Sequence, residues 1–240
     1  MAVPRALTAV VTGGASGLGR ATAERLVSVG HRVIVADLSG AEVASKIGAT
    51  FVECDVRSPK DVGRVFDVAG DASVTVNCAG IGFAQSTLSS KKVPHDLDAF
   101  RRVLEINTIG TFNVIRLAAE RYKDGGVIVN TASIAAYDGQ RGQAAYAASK
   151  GAIVSMTLPL ARDLARHRIR VCTIAPGLFR TPLLEALPDK VQTELASHIP
   201  YPSKLGDPAD FAKLVLAIID NPYLNGEVIR LDAALRMPPS

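Results

Sequence analysis

A phenol and an ammonium stand four residues apart in Tyr146-Ala147-Ala148-Ser149-Lys150, a spacing that stacks two side chains one turn apart on the same face of a helix. At about 4 Å and an effective dielectric of about 20, the ammonium favours the phenolate by roughly 4 kcal/mol, on the order of three pKa units. A tyrosine that ordinarily ionises near pH 10 then becomes a proton donor and acceptor usable near neutrality. Tyr-x-x-x-Lys arises often by chance, so the pair needs a companion. Asn130-Thr131-Ala132-Ser133 offers one, because Ser133 follows a β-branched run thirteen residues before Tyr146. Its hydroxyl is placed to donate to an oxygen on which negative charge develops. The rival role, a nucleophilic serine, is disfavoured: no Gly-x-Ser-x-Gly surrounds Ser133. His31, His95, His167 and His198 read as solvated residues at helix ends or in loops.

A second chemical signal is Thr12-Gly13-Gly14-Ala15-Ser16-Gly17-Leu18-Gly19, which ends an apolar run and opens an amphipathic segment. Glycines let the backbone approach a pyrophosphate, and the unpaired N–H groups and positive dipole end of the helix meet its charge. Between the first strand and first helix of a βαβ unit, such a turn specifies a dinucleotide site. Asp37 closes the second apolar run eighteen residues beyond Gly19, where a dinucleotide fold reads the adenosine ribose. A carboxylate there accepts from both ribose hydroxyls and repels a 2′-phosphate, so NAD is expected in preference to NADP. The alternative is that Asp37 caps a helix, and Arg20 is the nearby cation able to soften the repulsion.

The elements that must position these groups follow from hydrophobic periodicity. Short β-branched runs recur at Ala9–Val11, Val33–Val35, Phe51–Val52, Val74–Val76, Val127–Val129, Ile169–Val171 and Val228–Ile229. Helical periods between them predict helices at about Gly17–Val29, Pro59–Val68, Asp98–Tyr122, Gln143–Arg166, Leu183–Ala196 and Pro208–Ile219. Strands that are apolar throughout imply a parallel sheet covered on both faces, a Rossmann-type doubly wound α/β/α architecture. Strand ends then form the ligand crevice, with Ser133 on the same side as the glycine turn. Pro159 is expected to kink the fourth of these helices at a cost of about 3 kcal/mol, and Ser86–Pro94 reads as a surface loop. No repeat or linker divides the 240 residues, so a single domain spanning 1–240 is expected.

A charged fraction of 21% against 48% apolar residues argues against disorder, and the net charge of +4 comes from scattered Lys and Arg. That scatter favours a phosphate-bearing small molecule over nucleic acid. Cys54, Cys78 and Cys172 lack metal-ligand spacing, so no metal is expected and buried reduced thiols are. No stretch approaches the roughly 18 apolar residues of a membrane span, and Met1–Val11 is too short for a signal peptide. A soluble cytoplasmic location is expected, with the mitochondrial matrix also compatible.

These residues resemble the short-chain dehydrogenase/reductase family along essentially the whole chain. The likeness is carried by the glycine turn, Asp55-Val56, Asn77-Cys78-Ala79-Gly80, Asn107, Ser133, Tyr146 with Lys150, and Pro176-Gly177, in the family's order. The resemblance implies hydride transfer between NAD and a secondary alcohol or ketone. Tyr146 would exchange the proton, Lys150 would bind the nicotinamide ribose, Ser133 would orient the reacting oxygen, and Asn107 would hold a relay water. Asp55 and Val56 would contact adenine, Asn77, Cys78, Ala79 and Gly80 would line its ribose, and Pro176 to Thr181 would close over the nicotinamide. Gly142–Tyr146, Ala175–Phe179 and Asn225–Asp232 resemble more closely the branch that acts on short or branched 3-hydroxyacyl-CoA and on hydroxysteroids. That likeness adds Ser16, Leu18, Cys78 and Phe179 to the cofactor shell and implies a homotetramer formed through the two longest helices. A CoA thioester needs cations at the rim, for which Lys91, Lys92, Arg141 and Arg180 are candidates; for Lys91 and Lys92 a solvated loop is the alternative. Other readings are an acyl-carrier-protein thioester reductase, which usually prefers NADPH, a simple alcohol dehydrogenase, and a non-catalytic dinucleotide-binding scaffold, which would dispense with Tyr146 and Lys150.

Overall fold

The computed structural model describes residues 6–185 and 188–239, so positions 186 and 187 of the expected helix Leu183–Ala196 lie outside the described residues. Seven parallel strands form one sheet: β1 (Thr8–Thr12), β2 (Arg32–Asp37), β3 (Thr50–Glu53), β4 (Ala72–Asn77), β5 (Gly126–Thr131), β6 (Ile169–Pro176) and β7 (Val228–Leu231), in the order β3-β2-β1-β4-β5-β6-β7. The order reverses at β1, which pairs with β2 on one side and β4 on the other, with Thr12 opposite Asn77. Such a switch point opens a crevice beyond the carboxyl ends of the strands.

The helices are α1 (Gly17–Ser28), α2 (Ala41–Ile47), α3 (Pro59–Ala69), α4 (Leu97–Leu104), α5 (Thr111–Arg121), α6 (Ala144–Leu164), α7 (Pro182–Glu185), α8 (Asp189–Ser197) and α9 (Pro208–Asp220). Starts are fixed by local chemistry: Ser58 accepts from Asp61 N ahead of Pro59, and Asp207 accepts from Ala209 N ahead of Pro208. Along β1, Val10 packs into a core with Phe66, Val114, Ile115 and Ile128, while Ala9 and Val11 face Leu26, Phe211 and Val215. Alternate residues thus feed opposite cores, which is why each strand is apolar throughout.

Two elements differ from those expected, and a third carries its proline as one helix. The seven-residue α2 went unpredicted because it buries only Ala44 and so shows no apolar period. The long helix expected over Asp98–Tyr122 is instead α4 and α5 joined by a π-helical turn, Glu105–Gly110, which encloses the buried Asn107. α6 runs through Pro159 without a break; the carbonyl left without its donor belongs to Ser155, and Ser155 and Pro159 are both exposed. Water can serve that carbonyl, so the proline is accommodated.

The histidines divide. His167 and His198 are exposed as expected, whereas His31 accepts from Leu7 N through Nδ1. His95 is partly buried between the edges of Phe83 and Phe100, its Nδ1 2.7 Å from Asp96 O and its Nε2 buried without a partner. The three cysteines are free, and burial pushes Cys54 up to about 12, Cys78 up to about 11, and Cys172 upward as well.

Candidate active site

The glycine turn folds back on itself at the carboxyl end of β1. Gly13 has φ +63°, and a Cβ there would lie 2.7 Å from Ala79 N, while a Cβ at Gly19 would fall on the Gly13 carbonyl oxygen. No side chain fits at either position, so the bare backbone forms the wall. Ser16 precedes α1 without a side-chain capping bond, and the first turn of α1 holds no acidic residue. Its N–H groups and dipole therefore face the crevice uncompensated, as an anion site requires. Leu18 is half-buried against the core, and Thr181 stands over Gly17, 3.4 Å from where its Cβ would be.

Asp37 lies across this turn. Its Oδ2 accepts from Ala15 N at 3.0 Å and its Oδ1 from Leu38 N at 2.8 Å, which fixes the carboxylate and leaves further lone pairs outward. Arg20 pairs with Glu24 at 2.7 Å, and among the described residues no cation forms an ion pair with Asp37. Asp55 accepts a two-pronged contact from Arg57, which holds its carboxyl below the usual range, and the pair borders a cavity of about 470 Å³ with Ser58, Glu105 and Ile109. Val56 turns its side chain inward under Gly110, and its carbonyl accepts from Asn113.

Across the strand ends, Thr12 Oγ1 donates to Asn77, whose Nδ2 donates to Asn130, so the Asn77 side chain is spent on bracing β1 to β5. Cys78 accepts from Thr131 Oγ1, and Ala79 and Gly80 continue beside it. Pro176 ends β6, while Phe179 buries its side chain against Gly206 and Phe211.

Tyr146 and Lys150 share one face of α6, as their spacing predicts. Lys150 is buried; its Nζ lies 5.8 Å from the Tyr146 ring centroid and donates to Thr131 O at 2.8 Å. Ser133 follows β5, is 9% exposed and accepts from Ala135 N. One electrostatic expectation is corrected: burial raises the Tyr146 phenol above its ordinary value, opposed by the Ser133 hydroxyl rather than by the lysine. Burial also pushes Lys150 down to about 8. Asn107 accepts from Ile81 N and donates to Ile81 O and Ser149 Oγ, so its amide is a brace. Its carbonyl accepts from Thr111 Oγ1.

Ser149, which the sequence reading passed over, is fully buried and donates to Tyr146 O at 2.8 Å while accepting from Asn107. The available signal was a hydroxyl three residues after Tyr146 and adjacent to Lys150. Four further polar residues were also missed: Asp138, Arg230, Asp232 and Arg236 form an ion cluster behind Ser133. Arg230 holds the Asp138 carboxyl below its usual range. A lowered folded-state pKa gives stability that is present above the unfolded value near pH 4 and is lost as pH falls through the folded value. Asp138→Asn should therefore show a smaller drop in melting temperature between pH 5 and pH 3 than the parent chain, by a few degrees in differential calorimetry.

All four candidate rim cations are exposed. Lys91 and Lys92 are exposed on the turn that follows Ser89, in a loop whose base is held by Gln85 N donating to Gly142 O. Arg141 and Arg180 are exposed, their main-chain N–H groups donating to Pro239 and Gly206.

A dinucleotide-type turn, an acidic strand end and a Tyr/Lys/Ser group at the carboxyl ends of the strands suit an oxidoreductase. A family model described as Enoyl-(Acyl carrier protein) reductase matches residues 13–234. The chain belongs to the short-chain dehydrogenase/reductase family, whose members generally bind NAD(H), and is an oxidoreductase. It is 58% identical over 248 residues to 3-hydroxyacyl-CoA dehydrogenase type-2 of Drosophila melanogaster, covering 96% of this chain and 97% of the relative. To the protein of that name from Homo sapiens it is 57% identical over 253 residues, covering 98% and 97%. The crystal structure of 3-hydroxyacyl-CoA dehydrogenase type-2 from Mycobacterium avium superposes with a TM-score of 0.92 at 39% identity, covering 98% of this chain and 97% of that one.

Proposed function

We propose that this chain is an NAD-dependent dehydrogenase interconverting secondary alcohols and ketones, with short or branched 3-hydroxyacyl-CoA thioesters as first substrates and hydroxysteroids as second. The observation that carries this reading is the side-by-side placement of Tyr146 and buried Lys150 on α6, with Ser133 acting on the phenol from the end of β5. The names of relatives at 53–58% identity support the substrate class. A single domain carries the whole activity.

The residues present fit NAD. Gly13, Ser16, Gly17, Leu18 and Gly19 form the turn that cradles the pyrophosphate, folded so tightly that a Cβ at Gly13 or Gly19 would strike neighbouring backbone, and Asp37 takes the ribose hydroxyls. Asp55, Val56, Asn77, Cys78, Ala79 and Gly80 line the adenosine half, with Asp55 offering a carboxylate edge, Val56 its main chain, and Asn77 acting through the strand end it braces. Pro176, the Phe179 main chain and Thr181 close the other half. When bound, NAD supplies the two-electron acceptor for the carbinol hydrogen, and NADH returns it.

The chain's own groups manage the proton and the oxygen. In oxidation the substrate hydroxyl gives its proton to the Tyr146 oxygen, and in reduction Tyr146 gives it back to the new alkoxide. Ser133 donates to that oxygen while it is charged. Lys150, which burial pushes down to about 8, holds the ribose from its place beside the Tyr146 ring. Asn107, whose main-chain carbonyl accepts from Thr111 Oγ1, is the residue that would hold a relay water leading from Lys150.

The family model's description brings acyl-carrier-protein thioesters into view as a second substrate class, but the Asp37 carboxylate favours NADH. A homotetramer is the proposed assembly: Ile109 just before α5, Phe112 on α5 and Leu158 on α6 are exposed apolar residues on the two long helical segments. Among the described residues no helix is long and apolar enough to cross a membrane, and a soluble cytoplasmic enzyme is the proposed setting.

The test is NADH absorbance with acetoacetyl-CoA beside a panel of ketosteroids; no turnover of either class removes the reading. If Lys91 and Lys92 meet the CoA phosphates, Lys91→Ala with Lys92→Ala should raise the KM for acetoacetyl-CoA several-fold and leave a small ketone's KM unchanged. An unchanged ratio of the two returns these lysines to a solvated loop.

A further inference from the structure

We infer that Arg230 is a positioning residue for the proposed reaction, a clamp whose guanidinium fastens the turn bearing Ser133 to the strand end bearing Pro176 and Gly177. This rests on the function proposed above.

The guanidinium makes three directed contacts with carboxylates. Nη1 and Nη2 donate to the two oxygens of Asp138 at 3.1 and 2.6 Å, and Nε donates to Asp232 Oδ2 at 2.6 Å. The Arg230 side chain is 21% exposed and those of Asp138 and Asp232 are 11% and 7% exposed, unlike surface pairs such as Arg101–Asp98. A fork held in both prongs at low exposure fixes direction as well as distance.

Each carboxylate belongs to a different wall of the crevice. From Ser133 to Asp138 the chain is one tight turn, with Ala136 N donating to Ser133 O, and Tyr137 N and Asp138 N both donating to Ile134 O. A shift at Asp138 therefore reaches Ser133 with little slack between. On the other wall, Gly177 N donates to Leu231 O, and Asp232 Cα stands 2.9 Å from where a Cβ at Gly177 would be. Moving Asp232 moves the backbone at Gly177. The Tyr137 ring covers the guanidinium at 5.2 Å, and Ile134 packs with Leu178, Ile199 and Leu235 beneath it. One side chain thus sets the spacing between the oxygen-orienting hydroxyl and the segment expected to lie over the nicotinamide, although it touches neither substrate nor cofactor.

Arg230→Lys keeps the charge and loses the fork, and Asp138→Asn keeps the shape and weakens the pairing. Hydrogen exchange read by mass spectrometry should quicken in both variants at 133–138 and at 175–178 together. With acetoacetyl-CoA and NADH, kcat should fall about ten-fold with the KM for the thioester within about two-fold. NADH affinity by fluorescence should be unchanged, and the double variant should be no worse than Arg230→Lys, as for two members of one unit. Unchanged exchange at either wall overturns the clamp whether or not the parent chain turns over this substrate. Absence of turnover in the parent strikes the proposed function alone. A wild-type kcat in both variants, or NADH affinity falling in step with kcat, overturns the positioning role, and if Arg230→Lys does not fold, Asp138→Asn decides by these criteria.

Discussion

Tyr146→Phe is expected to lower turnover by about a thousand-fold or more while leaving NADH affinity within a few-fold of the parent. The substitution removes one oxygen and keeps the ring, so the half-buried packing of Tyr146 on α6 survives. Lys150 does not depend on the phenol for its place, because its Nζ donates to Thr131 O. Ser149, which joins Asn107 to this turn of the helix, bonds the main-chain carbonyl of residue 146 and is likewise undisturbed. What disappears is the proton transfer, which as general acid or base contributes on the order of 10²–10⁴-fold. Because burial raises the phenol's pKa, the group rests as the proton donor at neutral pH, so ketone reduction should show the full deficit. Stopped-flow NADH oxidation beside fluorescence titration of NADH separates the two quantities. A variant that turns over at the parental rate removes Tyr146 from its assigned role.

The second large effect concerns the choice between the two nicotinamide dinucleotides. Asp37→Ser should raise the KM for NADH by roughly a hundred-fold, because two hydrogen bonds to a charged acceptor at about 1.5 kcal/mol each are lost, about 3 kcal/mol in all. The KM for NADPH should fall at the same time, since the repulsion of a 2′-phosphate goes with the carboxylate. Arg20 is tied to Glu24 and supplies no compensating cation in the parent chain, so discrimination should be strong before the substitution and weak after it. The ratio of kcat/KM for NADH and NADPH reads this directly, and an unchanged ratio would place ribose recognition elsewhere.

The sheet was legible because its strands carry their evidence locally: a residue such as Val10 and its neighbour Val11 are both buried, on opposite faces, so the run is apolar without interruption. The glycine turn and the Tyr146/Lys150 spacing were legible for the same reason, since each is a short-range pattern tied to one turn or one helix face. What escaped was set by distant partners. The π-helical turn at Glu105–Gly110 has no local signature, because it closes around an Asn107 amide satisfied by Ile81 and Ser149. The Tyr146 phenol was expected to fall in pKa, yet the direction of the Lys150 ammonium is decided by the Thr131 carbonyl at the end of β5. His95 was expected in solvent, and two phenylalanines on either side of it in sequence enclose it. Arg230 and Asp138 are 92 residues apart, and nothing in either neighbourhood foretells that they meet.

With thiols raised to about 12 and 11 at Cys54 and Cys78, and raised also at Cys172, almost none of the sulfur is thiolate at neutral pH. Nucleophilic attack on a maleimide or a haloacetamide needs that anion, so the buried Cys54 and Cys172 should react slowly with alkylating reagents in the folded chain. Alkylation of the buried Cys54 and Cys172 then follows opening of the core around them, so the sequence carries its own probe of unfolding.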